Sequence, residues 1–266
     1  MTTPLLELRQ LSFAYPDRRV LCDVDFSLHR GDRVALIGSN GAGKTTLLHL
    51  LVGLQRPSAG QVLAFGEPRQ TEADFHPVRT RVGLLFQDSD DQLFCPTVLE
   101  DVAFGPLNLG RSPADACADA VRTLDTLGLA EFGGRVAYRL SAGEKRLVAL
   151  ATVLAMNPEV LLLDEPTSGL DDVTEQRLIE HLCGLKQAML IVSHDQQFLE
   201  RLVNRAVRLA DGSLEEARLH RHPHTHQHTH LHLHVPDGSD AHHHDRLVPS
   251  HDDHHVDGSD AEYRPT

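Results

Sequence analysis

The stretch "RVALIGSNGAGKTTLLHLL", residues 33 to 51, constrains this chain more than any other. Its first five residues form a short, nearly all-apolar run that suits a strand buried on both faces of a parallel sheet. Next comes the octet "GSNGAGKT", Gly38 to Thr45, with the spacing GxxxxGK[ST], and it leads directly into a helix-compatible segment. A strand, a glycine-rich turn and a helix in that order place the backbone N–H groups of Gly38, Ser39, Asn40, Gly41, Ala42 and Gly43 around one point. The positive end of the helix faces that point as well. Such a concavity suits phosphate oxygens. Only three of the 25 basic residues are lysine, so Lys44 falling where a compact point charge is wanted adds support. Lys44 is expected to reach the terminal phosphates. The Thr45 hydroxyl is expected to hold Mg²⁺, with Thr46 beside it in the first helical turn.

Other apolar runs extend the sheet. "VGLLF" (82–86), "EVLLLD" (159–164) and "AMLIVS" (188–193) repeat the buried-strand pattern. Helix-compatible segments at 43–53, 142–156, 171–185 and 195–203 complete an α/β layer pattern. Residues 5–13 and 20–28 instead alternate apolar and polar, which predicts an antiparallel sheet near the start. Between 97 and 140 the strong patterns are helical, notably over 113–128, so a helical insertion is expected. From Glu216 onward His, Asp, Pro, Gly and Ser dominate, and this part is expected to stay disordered. The fold class is therefore α/β, with a mostly parallel core sheet, an N-terminal antiparallel β subdomain and a helical subdomain at about 88–150. Residues 1–215 form the ordered domain and 216–266 a flexible tail.

"VLLLDE" ends a buried strand on two acids. Asp164 fits a role in positioning the metal through water, and Glu165 could polarise an attacking water. No lysine follows an asparagine, which removes the guanine-reading NKxD pattern and favours adenine. A net charge of −13 gives no basic footprint for DNA or RNA. Cys22, Cys95, Cys117 and Cys183 are widely spaced and read as reduced thiols. No apolar run reaches the roughly 18 residues needed to cross a bilayer.

These pieces in order, with "LSAGEKR" at 140–146, resemble the nucleotide-binding subunits of ABC transporters over residues 5 to about 215. The resemblance implies ATP hydrolysis with Mg²⁺ held through Thr45, Gln87 and Asp164. Tyr15 matches the aromatic that stacks on adenine, Gln87 the Q-loop glutamine, and His194 the switch histidine beside the catalytic Glu165. Ser141, Gly143 and Glu144 match the signature motif, which in this family meets the nucleotide of the opposite subunit, and Asp171 closes the D-loop "SGLD". A pair of subunits, alike or homologous, is thus implied at the cytoplasmic face of a membrane, working with transmembrane scaffold and substrate-binding subunits. Ala142 stands where the family usually has glycine. Alanine resists positive φ, so a need for φ > 0 there would slow hydrolysis.

Residues 86–110, "FQDSDDQLFCPTVLEDVAFGPLNLG", resemble the stretch after the Q-loop in energy-coupling factor ATPases, particularly those of cobalt and nickel uptake. Acidic residues there meet arginines of the scaffold in that group, so Asp88, Asp90 and Asp91 are the docking candidates. The tail fits the same cargo. Fourteen of the 19 histidines lie beyond residue 219, including His220, His222, His224, His226, His228, His230, His232 and His234 at every second position, then His242, His243 and His244. Imidazole ligates Ni²⁺, Co²⁺, Zn²⁺ and Cu²⁺, and the tail reads as a many-site metal sponge or sensor. Two alternatives remain: the same engine importing another micronutrient such as a vitamin, or a soluble metal chaperone switched by nucleotide.

Overall fold

The computed structural model describes residues 3–223 and 229–234, with side chains described through residue 217. Strands β1 (Leu6–Tyr15) and β2 (Arg18–Leu28) pair antiparallel, and β3 (Arg33–Ile37) begins the core sheet. The glycine-rich turn follows, then α1 (Lys44–Leu51), β4 (Ala59–Ala64), β5 (Glu67–Arg69), α2 (Glu72–Arg79) and β6 (Val82–Leu85). Helices α3 (Val98–Asn108), α4 (Pro113–Thr126) and α5 (Ala142–Ala155) make the helical subdomain. The chain then returns through β7 (Val160–Asp164), α6 (Asp172–Gly184), β8 (Ala188–Val192), α7 (Gln196–Leu202), β9 (Arg205–Ala210), β10 (Ser213–Pro223) and β11 (Thr229–His234).

Two sheets result. One has the order β2-β1-β4-β5, and the other β11-β10-β9-β3-β8-β7-β6. In the second, β9, β3, β8, β7 and β6 run parallel, while β10 and β11 add antiparallel at one edge. The apolar runs explain the parallel part. Leu161, Leu162 and Leu163 of β7 are fully buried, and each contributes about 1.5–3 kcal/mol relative to exposure. A slip of one residue would exchange the two buried faces, so the register is fixed and Asp164 lands at the carboxyl end of the strand.

Helix starts follow their caps. Thr97 with Glu100 and Ser141 with Glu144 form reciprocal capping boxes at the heads of α3 and α5. Ser112 caps α4 with Pro113 in its first turn. Val98, Val102, Ala120, Leu124 and Val148 close a core of their own between α3, α4 and α5.

The structure corrects one expectation. The composition from Glu216 onward predicts disorder, yet residues 216–223 complete β10 and 229–234 form β11. The reason lies in alternation rather than composition. β9 offers an open edge whose N–H and C=O groups β10 satisfies from Ser213 to Ala217. Ala217 is buried, and Glu216 pairs with Arg205 at 2.6 Å. His224, His226, His228, His242, His243 and His244 lie outside the described residues. No helix of the described residues is long and apolar enough to cross a membrane.

Candidate functional site

The turn after β3 packs so tightly that two glycines have no substitute. A Cβ on Gly38 would sit 2.4 Å from the backbone oxygen of Leu209, and one on Gly43 would sit 2.4 Å from Val20 Cγ1. Gly43 also adopts φ +110°. The turn is thereby held against both sheets. Lys44 folds back over it, its Nζ donating to the carbonyls of Gly38 (2.8 Å) and Ser39 (3.1 Å). Burial lowers the Lys44 pKa, against the raising pull of Glu165 and Asp164. Arg18, from β2, donates to the Gly41 carbonyl at 2.7 Å.

A cleft of about 640 Å³ opens at this turn. Tyr15, Asn40, Gly41, Gly43, Lys44, Thr45, Thr46, Gln87, Asp164, Glu165 and His194, all singled out from the sequence, share its lining. Inside it the Thr45 hydroxyl donates to Asp164 Oδ2 at 2.6 Å, and the Tyr15 hydroxyl lies 3.3 Å from that of Thr46. Glu165 adopts φ +51°, a costly conformation for a side-chain-bearing residue. Its N–H donates to Val192 O at 2.9 Å, and its carboxylate Oε1 lies 3.4 Å from His194 Nε2. Burial raises the Glu165 pKa, against the opposing effects of His194 and Lys44. A carboxylate held nearer neutrality is a better proton acceptor.

Ser141, Gly143, Glu144 and Asp171 are elsewhere. They line a separate cleft of about 820 Å³ between α5 and α6. Glu144 accepts from the Ser141 N–H at 2.8 Å and pairs with Arg135 at 3.1 Å, and these bonds lower its pKa. Asp171 accepts from Thr174 N at 3.0 Å and Thr174 Oγ1 at 2.9 Å, capping α6. Within one chain, then, the signature residues do not complete the Lys44 cleft. Ala142 opens α5 and has no positive φ, so it carries no strain. Gly143 is the constrained position, since a Cβ there would sit 2.7 Å from the Gly169 carbonyl oxygen.

The acidic trio sits at a third cleft, about 580 Å³, beside Gln87 and α5. Asp88 caps the short turn 89–91 by accepting from Asp90 N at 2.9 Å. Asp90 is paired within the chain, its carboxylate 2.5 Å from Lys145 Nζ. A docking cation would have to share Asp90 with Lys145.

Sequence reasoning missed Arg146. Its guanidinium, 2% exposed, donates to the carbonyls of Phe86 (2.5 Å), Gln87 (3.2 Å), Glu165 (2.5 Å) and Asp164. It thus ties α5 to the ends of β6 and β7. Gln92 was missed too; it accepts from Phe86 N at 3.2 Å and donates to Ala149 O at 2.9 Å. Both act on backbone groups from distant segments, which no local pattern announces. Only the basic residue beside "LSAGEK" hinted at the first.

Comparison with known proteins agrees with this geometry. The ABC transporter family matches residues 21–168. A Brucella suis biovar 1 (strain 1330) protein named "Putative ABC transporter ATP-binding protein BR1368/BS1330_I1363" is 53% identical over 219 residues, 82% of this chain and 91% of that one. The energy-coupling factor transporter ATP-binding protein EcfA of Methanothermobacter thermautotrophicus is 42% identical, covering 79% of this chain and 69% of that one. Among solved structures, cbiO1 from Clostridium perfringens, described as part of the ABC transporter complex cbiONQ, superposes with a TM-score of 0.70. It is 30% identical, over 80% of this chain and 87% of that one. The dimeric bacterial ABC transporter cassette MJ0796 gives a TM-score of 0.72 at 25% identity, over 79% and 96% of the two chains. The chain belongs to the ABC transporter ATP-binding family and is an ABC-type ATPase, the ATP-binding subunit of a transporter.

Proposed function

We propose that this subunit energises uptake of a transition-metal ion, cobalt or nickel, at the cytoplasmic face of a membrane. The observation that carries the engine is the single cleft in which Lys44, the Thr45–Asp164 pair and the Glu165–His194 pair converge. Lys44 meets the terminal phosphates in exchange for the Gly38 and Ser39 carbonyls. Tyr15 stacks on adenine. The oxygens of Thr45, Gln87 and Asp164 suit a hard cation, and Mg²⁺ held there would neutralise phosphate charge. Glu165 accepts a proton from the water that attacks the γ-phosphorus, and ADP leaves as the new P–O bond forms. His194 orients Glu165 and the γ-phosphate.

Ser141, Gly143 and Glu144 lie outside the cleft of their own chain, so a second ATPase subunit supplies them, with Asp171 shaping the contact. Two subunits close head to tail around two ATP molecules, and closure drives the membrane partner. The ATPase domain, with 88–150 as its helical part, runs on past residue 215 into β10, and the histidine-rich stretch from His220 serves as the metal-binding tail. The docking face is Asp88, Asp90 and Asp91, where arginines of a transmembrane scaffold subunit bind.

Two things support the metal cargo, the resemblance of residues 86–110 to cobalt and nickel uptake ATPases and the histidine tail, while the likeness to cbiO1 of the cbiONQ complex supports work within a multi-subunit transporter. The test is uptake of Co²⁺ and Ni²⁺ by cells that make this chain with its membrane subunits. Accumulation should vanish with Glu165→Gln and with Asp90→Lys/Asp91→Lys, the latter still binding ATP. Metal uptake indifferent to both variants would overturn the reading.

A further inference from the structure

Arg18 lines the Lys44 cleft although it belongs to none of the motifs that mark the cleft in the sequence. Two residues, Pro16 and Asp17, join β1 to β2, and Tyr15 pairs with Arg18 across that turn. Side chains on a strand alternate between its faces, so Arg18 and Val20 share one face and Arg19 takes the other. Val20 is the side chain against which Gly43 packs. Arg18, two residues earlier on the strand, meets Gly41, two residues earlier on the glycine turn. The strand and the turn thus run alongside each other in step, and Arg18 and Val20 line the cleft while Arg19 does not. A guanidinium carries five N–H donors, and the bond to the Gly41 carbonyl at 2.7 Å occupies one of them. Among the described residues Arg18 has no carboxylate partner. Charge points the same way. Besides Tyr15, the ionisable side chains around the cleft are Arg18, Lys44, Asp164, Glu165 and His194. With His194 neutral, the two carboxylates outweigh Lys44 alone, and such a cleft repels a polyphosphate. Arg18 brings cations and carboxylates into balance.

We infer that Arg18 is a phosphate-binding residue of this ATPase, exchanging the Gly41 carbonyl for the phosphate chain of the bound nucleotide. Lys44, which is buried, holds that chain from the floor of the cleft, and Arg18, which is exposed, holds it from the rim. The β1–β2 turn thereby gains a purpose beyond carrying Tyr15. This deepens the reading of the Lys44 cleft as the nucleotide site and rests on it.

The experiment separates a contact with phosphate from bracing of the turn. The full chain is titrated with ADP and Mg²⁺ by calorimetry, since ADP is the product and is not hydrolysed during the titration. Four variants are measured beside it: Arg18→Gln, Arg18→Lys, Arg19→Gln and Lys44→Ala. Gln keeps a donor for the Gly41 carbonyl and loses the charge, Lys keeps the charge, and Arg19→Gln removes the same charge from the opposite face of β2. Arg18→Gln should weaken ADP about tenfold at low salt, the worth of one charge-assisted hydrogen bond at a half-open site. Arg18→Lys should stay within about threefold of the parent, and Arg19→Gln should match the parent. Raising the salt from about 0.05 M to about 0.5 M should shrink the Arg18→Gln deficit, because exposed charges are screened. ADP binding by Arg18→Gln equal to the parent's would overturn the assignment. So would equal losses in Arg18→Gln and Arg18→Lys, which mark a brace, or in Arg18→Gln and Arg19→Gln, which mark a general field. Those three results leave the cleft itself intact provided that Lys44→Ala loses ADP; if Lys44→Ala binds as the parent does, the cleft reading falls with the inference.

Discussion

Replacing Arg146 by methionine should loosen the joint between the signature helix and the catalytic strand. The guanidinium is buried, and its donors reach four carbonyls on β6, β7 and the residues just beyond them. Burial lowers its pKa while Asp164, Glu165 and Asp88 pull the other way, and an arginine so placed stays charged. Each hydrogen bond from a charged donor is worth ~1.5–3 kcal/mol, but bonds sharing one guanidinium do not add. The whole clamp is therefore worth ~3–5 kcal/mol, the range found when one side of a buried charged network is removed. With a urea dependence near ~3 kcal/mol/M, the unfolding midpoint should fall by roughly 1–1.7 M. Arg146→Lys keeps the charge but not the fork, and should fall in between. In ATP hydrolysis the methionine variant should lose kcat more than it gains KM. The reason is that Arg146 holds the Glu165 carbonyl, whereas Lys44 is held by its own turn. A midpoint within about 0.2 M of the parent, with kcat unchanged, would refute the reasoning, because ~0.5 kcal/mol is what an ordinary surface change costs.

Two further expectations follow from local geometry. Gly38→Ala sets a methyl group against a backbone oxygen that no rotamer change can move aside, so it should cost about 1–3 kcal/mol in urea unfolding and abolish ATP binding. An unchanged midpoint would contradict the close approach. Glu175 is pushed up to about 7 by burial and by the Asp195 carboxyl beside it. Folding therefore takes up a proton between the ordinary carboxyl range and that value, and stability falls as pH rises through the window. Glu175→Gln should raise the thermal midpoint at about pH 8 and leave it nearly unchanged at about pH 5, so an equal difference at both would contradict the shift.

Much of the cleft could be read from the chain because its parts are local. A buried strand, a glycine turn and a helix cap are each encoded within ten residues, so Gly38 to Thr46 and Asp164–Glu165 are legible in the sequence alone. β4 was missed because its first half, Ala59 to Gln61, is exposed and only Val62, Leu63 and Ala64 are buried. β9 was hidden by Arg205 and Arg208, which lie within an otherwise buried strand. Pro77 disguised α2, although Thr71 and Asp74 form a clear capping box at its head. Composition misled at Glu216: few large apolar residues argued for disorder, while the two-residue period of the same segment matched an open sheet edge. Asp90 shows a different limit. Its acidity was legible, but its pairing with Lys145, 55 residues away, was not.

On this reading a nucleotide in the Lys44 cleft is sealed by Ser141 of a second subunit. The most direct test is the mass of the Glu165→Gln protein by light scattering, with and without ATP and Mg²⁺. Hydrolysis should be blocked in that variant, so the mass should double on adding ATP and stay single when Ser141→Arg is added. A protein that binds ATP yet keeps its single mass would contradict the claim.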